Sequence, residues 1–259
     1  MINFYTFFSG SKGNCAFISD GDTNILIDAG VSASRIINSL KEISISPEEL
    51  DAVLVTHEHS DHVSGLKVLT DKYSVPVYLN DNTAKSLIAS GSVSERNVRI
   101  IESGSTFSLR SAIIRSFRTP HDSAESLGYA VSMDNRKFGF ATDTGCITKP
   151  MLSALANCEA VVIEANHDVD MLRNGHYPYM LKKRILSDNG HLSNENCAWL
   201  ATQLAMWGTK RIALGHLSEN NNTPEKAYEA SYKMLSENGF KPGTDVELFV
   251  AEKANICKI

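Results

Sequence analysis

Few features of this sequence point to a membrane, a secreted fold or a polyanion partner. No apolar run approaches the ~20 residues that a bilayer-spanning helix needs. The first twenty residues lack the basic start, apolar stretch and small-residue cleavage site of a secretory signal. The five cysteines (Cys15, Cys146, Cys158, Cys197, Cys257) are scattered, odd in number and without a Cys-x-x-Cys pair. This excludes a disulfide framework as the basis of stability and predicts reduced thiols in a soluble, cytoplasmic protein. Positive charge is in deficit: 25 Lys and Arg against 30 Asp and Glu leave a formal charge of −5. Such a balance argues against broad adhesion to nucleic acid or anionic membranes. A nucleic-acid substrate is still allowed, because bound metal ions can reverse the charge locally. No linker, low-complexity tract or repeat interrupts the 259 residues, so residues 1–259 are read as one domain. No obligate protein partner is expected.

What is present is an alternation of short strands and helices. Glycine-broken strands are expected at Phe4–Phe8, Cys15–Ser19 and Asn24–Asp28, then a helix near Ser32–Glu42 and a buried strand at Ala52–Val55. A second helix is expected to start at Asp61, followed by strand Val75–Leu79 and helix Asn82–Ala89. The middle is strand-rich, at Val98–Ile101, Thr106–Leu109, Ile113–Phe117, Gly128–Met133 and Lys137–Thr142, with Asp134-Asn135 as a hairpin turn. Helix and strand then alternate: helix Lys149–Ala156, strand Ala160–Glu164, helices Tyr179–Ser187 and Asn194–Met206, strand Arg211–Leu214, helix Pro224–Asn238 and strand Val246–Phe249. Helices towards both ends around many central strands imply an α/β fold with helical layers outside a β-sandwich.

The chemistry is concentrated in His57-Glu58-His59-Ser60-Asp61-His62. His57 and His59 follow a strand, where a period of two aims both side chains to one side. Imidazole and carboxylate are ligands for zinc, iron and related ions. Asp61 and His62 come next, at an expected helix start that suits an aspartate electrostatically. One loop cannot enclose two metals. Three later positions share its character of an apolar strand ending abruptly in a ligand-type residue: His121, Asp143 and His216.

These residues resemble the metallo-β-lactamase superfamily over essentially the whole chain. The H-x-H-x-D-H motif is matched by His57 to His62, and His121, Asp143 and His216 fall in the family's later positions in order. The resemblance implies a four-layer αβ/βα sandwich with two divalent metal ions, zinc or manganese, with iron as a further candidate. His57, His59 and His121 would hold one; Asp61, His62 and His216 would hold the other; Asp143 would bridge them. Asp61 thus counts as both ligand and catalytic residue. Asp28 matches an earlier aspartate that supports the ligands, or else simply turns the chain before Gly30. A carboxylate at 143, where the β-lactamase branch has cysteine, favours a bridged pair of metals. With only two ligand carboxylates the site carries net positive charge, suited to an anionic substrate. Metal-bound hydroxide would be the nucleophile.

Three further runs narrow the expectation. Gly190-His191-Leu192-Ser193-Asn194 precedes a helix, with Ser193 or Asn194 as its cap. His191 there resembles the histidine that protonates the leaving oxygen in the nuclease branches. Ser9-Gly10-Ser11-Lys12-Gly13-Asn14-Cys15 is either a tight hairpin or a loop whose amides and Lys12 meet a phosphate at the rim; Ser11 and Asn14 are candidates with it. In Glu164-Ala165-Asn166-His167-Asp168, Glu164 or His167 could hydrogen-bond a ligand or bind metal. Together these runs resemble the YycJ/WalJ (VicX) subgroup, which implies a DNA exonuclease acting from 5′ ends, with DNA favoured over RNA as substrate. Residues 144–190 leave no room for an inserted nucleic-acid clamp. Lys182-Lys183-Arg184 after Tyr177-Pro178-Tyr179 could touch a phosphate backbone, or be a solvated helix face. The alternative activities are hydrolysis of a cyclic phosphodiester or of a thioester like the glyoxalase II substrate. A non-catalytic binding module is disfavoured because no ligand position is degraded.

Overall fold

The computed structural model describes residues 2–259. Strands β1 (Asn3–Phe8), β2 (Cys15–Ser19) and β3 (Asn24–Ile27) open the chain, and α1 (Ala33–Glu42) crosses to β4 (Ala52–Leu54). Helices α2 (Ser60–Val63) and α3 (Leu66–Tyr73) lead to β5 (Val77–Leu79), and α4 (Asp81–Ala89) leads to β6 (Val98–Ile100). The central strands are β7 (Thr106–Leu109), β8 (Ala112–Arg118), β9 (Leu127–Met133) and β10 (Arg136–Ala141). Then come α5 (Lys149–Leu155), β11 (Ala160–Glu164), α6 (Val169–Asn174), α7 (Tyr179–Ile185) and α8 (Asn194–Met206). The chain closes with β12 (Arg211–Gly215), α9 (Pro224–Glu237), β13 (Glu247–Val250) and β14 (Cys257–Lys258).

The strands form two seven-stranded sheets, ordered β14-β1-β2-β3-β4-β5-β6 and β13-β12-β11-β10-β9-β8-β7. Each is antiparallel at one end and parallel at the other: β3 to β6 run parallel in the first sheet, β10 to β13 in the second. Alternation along single strands explains the layers. In β3, Leu26 packs towards the α1/α3/α4 side with Val53 and Leu69, while Ile25 and Ile27 face the other sheet. In β11, Val161 and Ile163 pack with Leu155, Leu200 and Leu204 of the outer helices, while Ala160 and Val162 face inward. Three apolar layers result, which makes the four-layer αβ/βα sandwich expected from the sequence. The two sheets are also tied by hydrogen bonds, Tyr129 Oη donating to Val55 O at 2.6 Å and Leu127 N to Thr56 O at 3.0 Å.

Local departures from the expected elements have physical causes. The helix expected from Asp61 is broken after Val63, because the chain turns at Gly65, where a Cβ would lie 2.4 Å from Val31 O. Asp134 and Asn135 do make the hairpin turn, with φ of 48° and 58°, the left-handed pair of a type I′ turn. Helix α6, unforeseen, is short and capped by Asp168, whose carboxylate accepts from Met171 N at 2.8 Å. The five cysteines are unpaired. Among the described residues no helix is long and apolar enough to cross a membrane.

Candidate metal centre

Every residue of the site sits where a strand ends or a helix begins, at one end of the sandwich. Asp28 follows β3, His57 to His62 follow β4, His121 follows β8, Asp143 follows β10, Glu164 ends β11 and His216 follows β12. Asp28, Asp143 and His216 take left-handed backbone, with φ of 61°, 54° and 55°. Non-glycine residues adopt this region at a cost and cluster at functional sites when they do. Here the turn lets Asp143 and His216 leave the sheet and face the cleft, while Asp28 turns beneath it to His62 and Thr56.

On the side of the first sheet, Asp28 is fully buried and organises two imidazoles. His62 Nδ1 donates to Asp28 Oδ2 at 2.7 Å. Thr56 Oγ1 donates to Asp28 at 2.9 Å, leaving its lone pairs to accept from His57 Nδ1 at 3.0 Å. Both rings therefore present Nε2, with its lone pair, to the cluster. Loop 9–14 clamps the same region: Asn14 N donates to Asp61 O at 2.8 Å, and Asn14 Nδ2 lies 3.1 Å from His62 Nε2. Gly30 lets the strand pass beneath this loop, since a Cβ there would be 1.7 Å from Asp61 O.

On the side of the second sheet, Glu164 plays the matching part, also with no exposure. His216 Nδ1 donates to Glu164 Oε1 at 2.9 Å and His191 Nδ1 to the same oxygen at 2.7 Å. The other oxygen accepts from Thr144 N at 2.9 Å. His121 Nδ1 donates to Gly190 O at 3.0 Å. Ser193 caps α8, accepting from Asn196 N at 3.2 Å, which sets His191 just ahead of that helix.

The Nε2 atoms of His57 and His216 and Oδ2 of Asp143 are buried without a hydrogen-bond partner. Buried polar atoms are seldom left unsatisfied. Here they converge. The ligand atoms of His57, His59 and His121 lie within 4.8 Å of one another, as do those of Asp61, His62 and His216. Asp143 belongs to both neighbourhoods, 3.2 Å from His62 Nε2 and 3.7 Å from His121 Nε2. A further group, Asp143, Glu164, His191 and His216, meets the same test. The donor set thus fits metal ions, with hydrogen bonds at Nδ1 fixing the tautomers of His57, His62, His121 and His216.

Electrostatics agree. Burial pushes the Asp61 carboxyl up, but hydrogen bonds from His216 and His62 hold it well below its ordinary range. Burial likewise opposes ionisation of Glu164, yet His191 and His216 bring it down to about 2. His216, despite burial, is raised to about 10 by Asp143, Asp61 and Glu164. Against burial, Glu164 holds the His191 imidazolium above its ordinary value. The buried carboxylates thus draw positive charge into the cluster, as protons on His216 and His191 where no cation is bound, and a metal ion would meet the same attraction. Counting buried Asp28 and Glu164, four carboxylates face the site region rather than the two counted from ligand positions in the sequence.

The cleft over the site is lined by Ser11, His59, His121, Asn166, Tyr177 and Arg184, with Asp61, Asp143, His191 and His216 at its floor. Arg184 pairs with Asp122, the neighbour of His121. Two candidates stand apart. Lys12 is mostly exposed and pairs with Glu219 at 2.8 Å. His167 is buried with neither ring nitrogen partnered, and burial lowers its pKa to about 4. Residues whose part the sequence did not reveal are Thr56, Asn166, whose Nδ2 donates to His216 O at 3.0 Å, and Ser9, whose Oγ accepts from His216 N at 2.9 Å. A hydroxyl or amide beside a strand end carries no signal of its own.

A two-sheet sandwich with His and Asp side chains converging from strand ends defines a metal-dependent hydrolase. The match to known proteins agrees: the model of the beta-lactamase superfamily domain matches residues 23–217. The chain is 39% identical over 244 residues to exodeoxyribonuclease WalJ of Streptococcus pneumoniae, covering 93% of this chain and 91% of that protein. It is 38% identical over 250 residues to exodeoxyribonuclease YycJ of Bacillus anthracis, covering 95% and 94% respectively. Among solved structures, the metallo-β-lactamase-fold protein YhfI of Bacillus subtilis superposes with a TM-score of 0.75 at 14% identity, covering 100% of this chain and 99% of that one. The chain belongs to the metallo-β-lactamase superfamily.

Proposed function

We propose that the protein is a two-metal phosphodiesterase that degrades DNA from its 5′ ends. The observation that carries this reading is the His191–Glu164 pair beside Asp143. His191 stands 3.8 Å from Asp143 with its Nδ1 committed to Glu164, and its side chain keeps 18% exposure in the cleft. Its other nitrogen is thereby available to give a proton to a leaving oxygen, which an alkoxide departing from phosphorus needs. Likeness along almost the full length of two exodeoxyribonucleases supports DNA as the substrate.

In this reading His57, His59 and His121 would hold one ion and Asp61, His62 and His216 the other, with Asp143 within reach of both groups. Zinc and manganese fit this His/Asp set, and iron would too. When bound, the ions would supply a more acidic water and positive charge for the phosphoryl oxygens. Asp28 and Thr56 keep His57 and His62 aimed, and Glu164 does so for His216. Arg184 and Ser11 face the strand along the cleft. The three apolar layers and a site drawn from both sheets support a single domain over 1–259, and the unpaired thiols fit the cytoplasm.

The test is degradation of end-labelled DNA and RNA by protein loaded with Mn²⁺ or Zn²⁺. DNA should shorten from the 5′ end, with RNA cut more slowly. A protein with two ions verified bound that cuts neither, while hydrolysing a cyclic phosphodiester or thioester, overturns the reading.

A further inference from the structure

We propose that the cavity behind loop 9–14 is a second anion subsite, which seats a phosphate of the substrate strand away from the bond being cut. This rests on the nuclease reading for the identity of the strand, but not for the presence of the subsite. The loop has two sides. One side grips the metal centre through Ser9, which accepts from His216 N, and Asn14, which donates to Asp61 O. The other side walls a separate cavity, lined also by Lys12, Val31, Arg35, Glu219 and Lys253. Ser11 lines both this cavity and the cleft over the metals, so the two are contiguous.

The charge there runs against the rest of the molecule. Three cations meet one carboxylate, in a chain of net charge −5. Glu219 pairs with Lys12 at 2.8 Å and also feels the charge of Lys253, so one carboxylate is shared between two lysines and the lining keeps an excess of positive charge, with Arg35 in no ion pair among the described residues. The Arg35 guanidinium lies over the Phe8 ring, 4.4 Å from its centroid. Stacking orients its planar fork, the geometry that binds phosphate through two parallel hydrogen bonds. Arg35 also sits in the first turn of α1, where no acidic residue and no side-chain cap offsets the positive helix end. The loop amides contribute less than the sequence suggested. Gly10 N is engaged by Asn14 Oδ1 and Gly13 N by Gly10 O, both at 3.0 Å. Recognition therefore falls on Arg35 and Lys253, side chains drawn from distant parts of the chain.

The ligand is a phosphate group, supplied either by the strand's 5′ terminus or by an internal diester. Metal-loaded wild type, Arg35→Glu, Lys253→Glu and, as a charge control on α9, Lys233→Glu are compared on single-stranded oligonucleotides with 5′-phosphate and 5′-hydroxyl ends. Each cavity variant should raise KM about tenfold, the loss of one charge-assisted hydrogen bond, with kcat nearly kept. The slope of log affinity against log salt should fall by about one. If the terminal phosphate is the occupant, wild type prefers the phosphorylated end and the variants lose that preference; an internal phosphate predicts equal losses on both. KM and salt slopes matching Lys233→Glu overturn the subsite. Should the loaded wild type cut no phosphodiester, the nuclease reading fails separately. Titration with inorganic phosphate, followed by the amide resonances of Gly10 to Gly13, then decides the subsite: shifts in wild type that vanish in Arg35→Glu support it, and their absence overturns it.

Discussion

The two halves of the site are built on one plan with different outcomes. In the first-sheet half a buried Asp28 aims two imidazoles, His62 directly and His57 through Thr56. In the second-sheet half a buried Glu164 also aims two, His216 and His191. Both partners of Asp28, His57 and His62, come from the H-x-H-x-D-H run and belong to groups that could hold a metal ion. Glu164 instead serves His216, which groups with Asp61 and His62 of that run, and His191, which groups with no residue of it. In the proposed reading the first half is a holder, and the second joins holding to chemistry. A single carboxylate would then tie the ring that gives a proton to the ring that holds a cation.

That contrast can be broken most directly at His191. A His191→Ala variant should lose about 10²–10⁴ in kcat on DNA, yet lose far less on bis(p-nitrophenyl) phosphate, whose leaving group needs no proton. Equal losses on both would remove His191 from proton transfer. Next come the two carboxylates. Asp28→Asn and Glu164→Gln should each cost about 10–100-fold in metal affinity or activity. Excess metal should restore Asp28→Asn but leave Glu164→Gln slow; equal rescue would erase the distinction between the halves. Gly30→Ala forces a methyl group into the backbone of Asp61 and should lower stability by about 1–3 kcal/mol, read from the denaturant midpoint. The smallest effect is expected for Thr56→Val, which removes the relay to His57 and should weaken metal binding by about 1 kcal/mol, measured by calorimetric titration.

The halves also differ in how well the sequence announced them. His57 to His62 are contiguous, so four ligand-type residues in one loop stood out without any knowledge of the fold. His121, Asp143 and His216 could be picked out because each ends an apolar run abruptly. Glu164 ended a strand in the same way, but its role was ambiguous, because a carboxylate in sequence does not say which histidines will meet it. Thr56 was silent: its part depends on donating to Asp28 and accepting from His57, two contacts set by how β3 and β4 pair. The layers of the fold were legible in the order of elements, with helices towards both ends around many central strands; which face of β3 or β11 meets which layer was not, because both strands are buried throughout. The break between α2 and α3 was not, because it arises from the approach of Gly65 to Val31 O across the fold. Lys12, read as a phosphate contact at the rim or as part of a tight hairpin, pairs with Glu219, a neighbour that no spacing in the sequence announced.

The bond from His216 N to Ser9 Oγ spans 207 positions of the chain. Contacts of such separation form late, after the intervening segments have collapsed. During synthesis the first half can acquire His57, His59 and His62 long before β12 exists, but it then offers a metal only an open, unbridged seat. If the proposed ligand set is right, full occupancy would be a record of completed folding: a truncated or misdocked chain would keep the conspicuous histidine motif and lack the enclosure that would arm it.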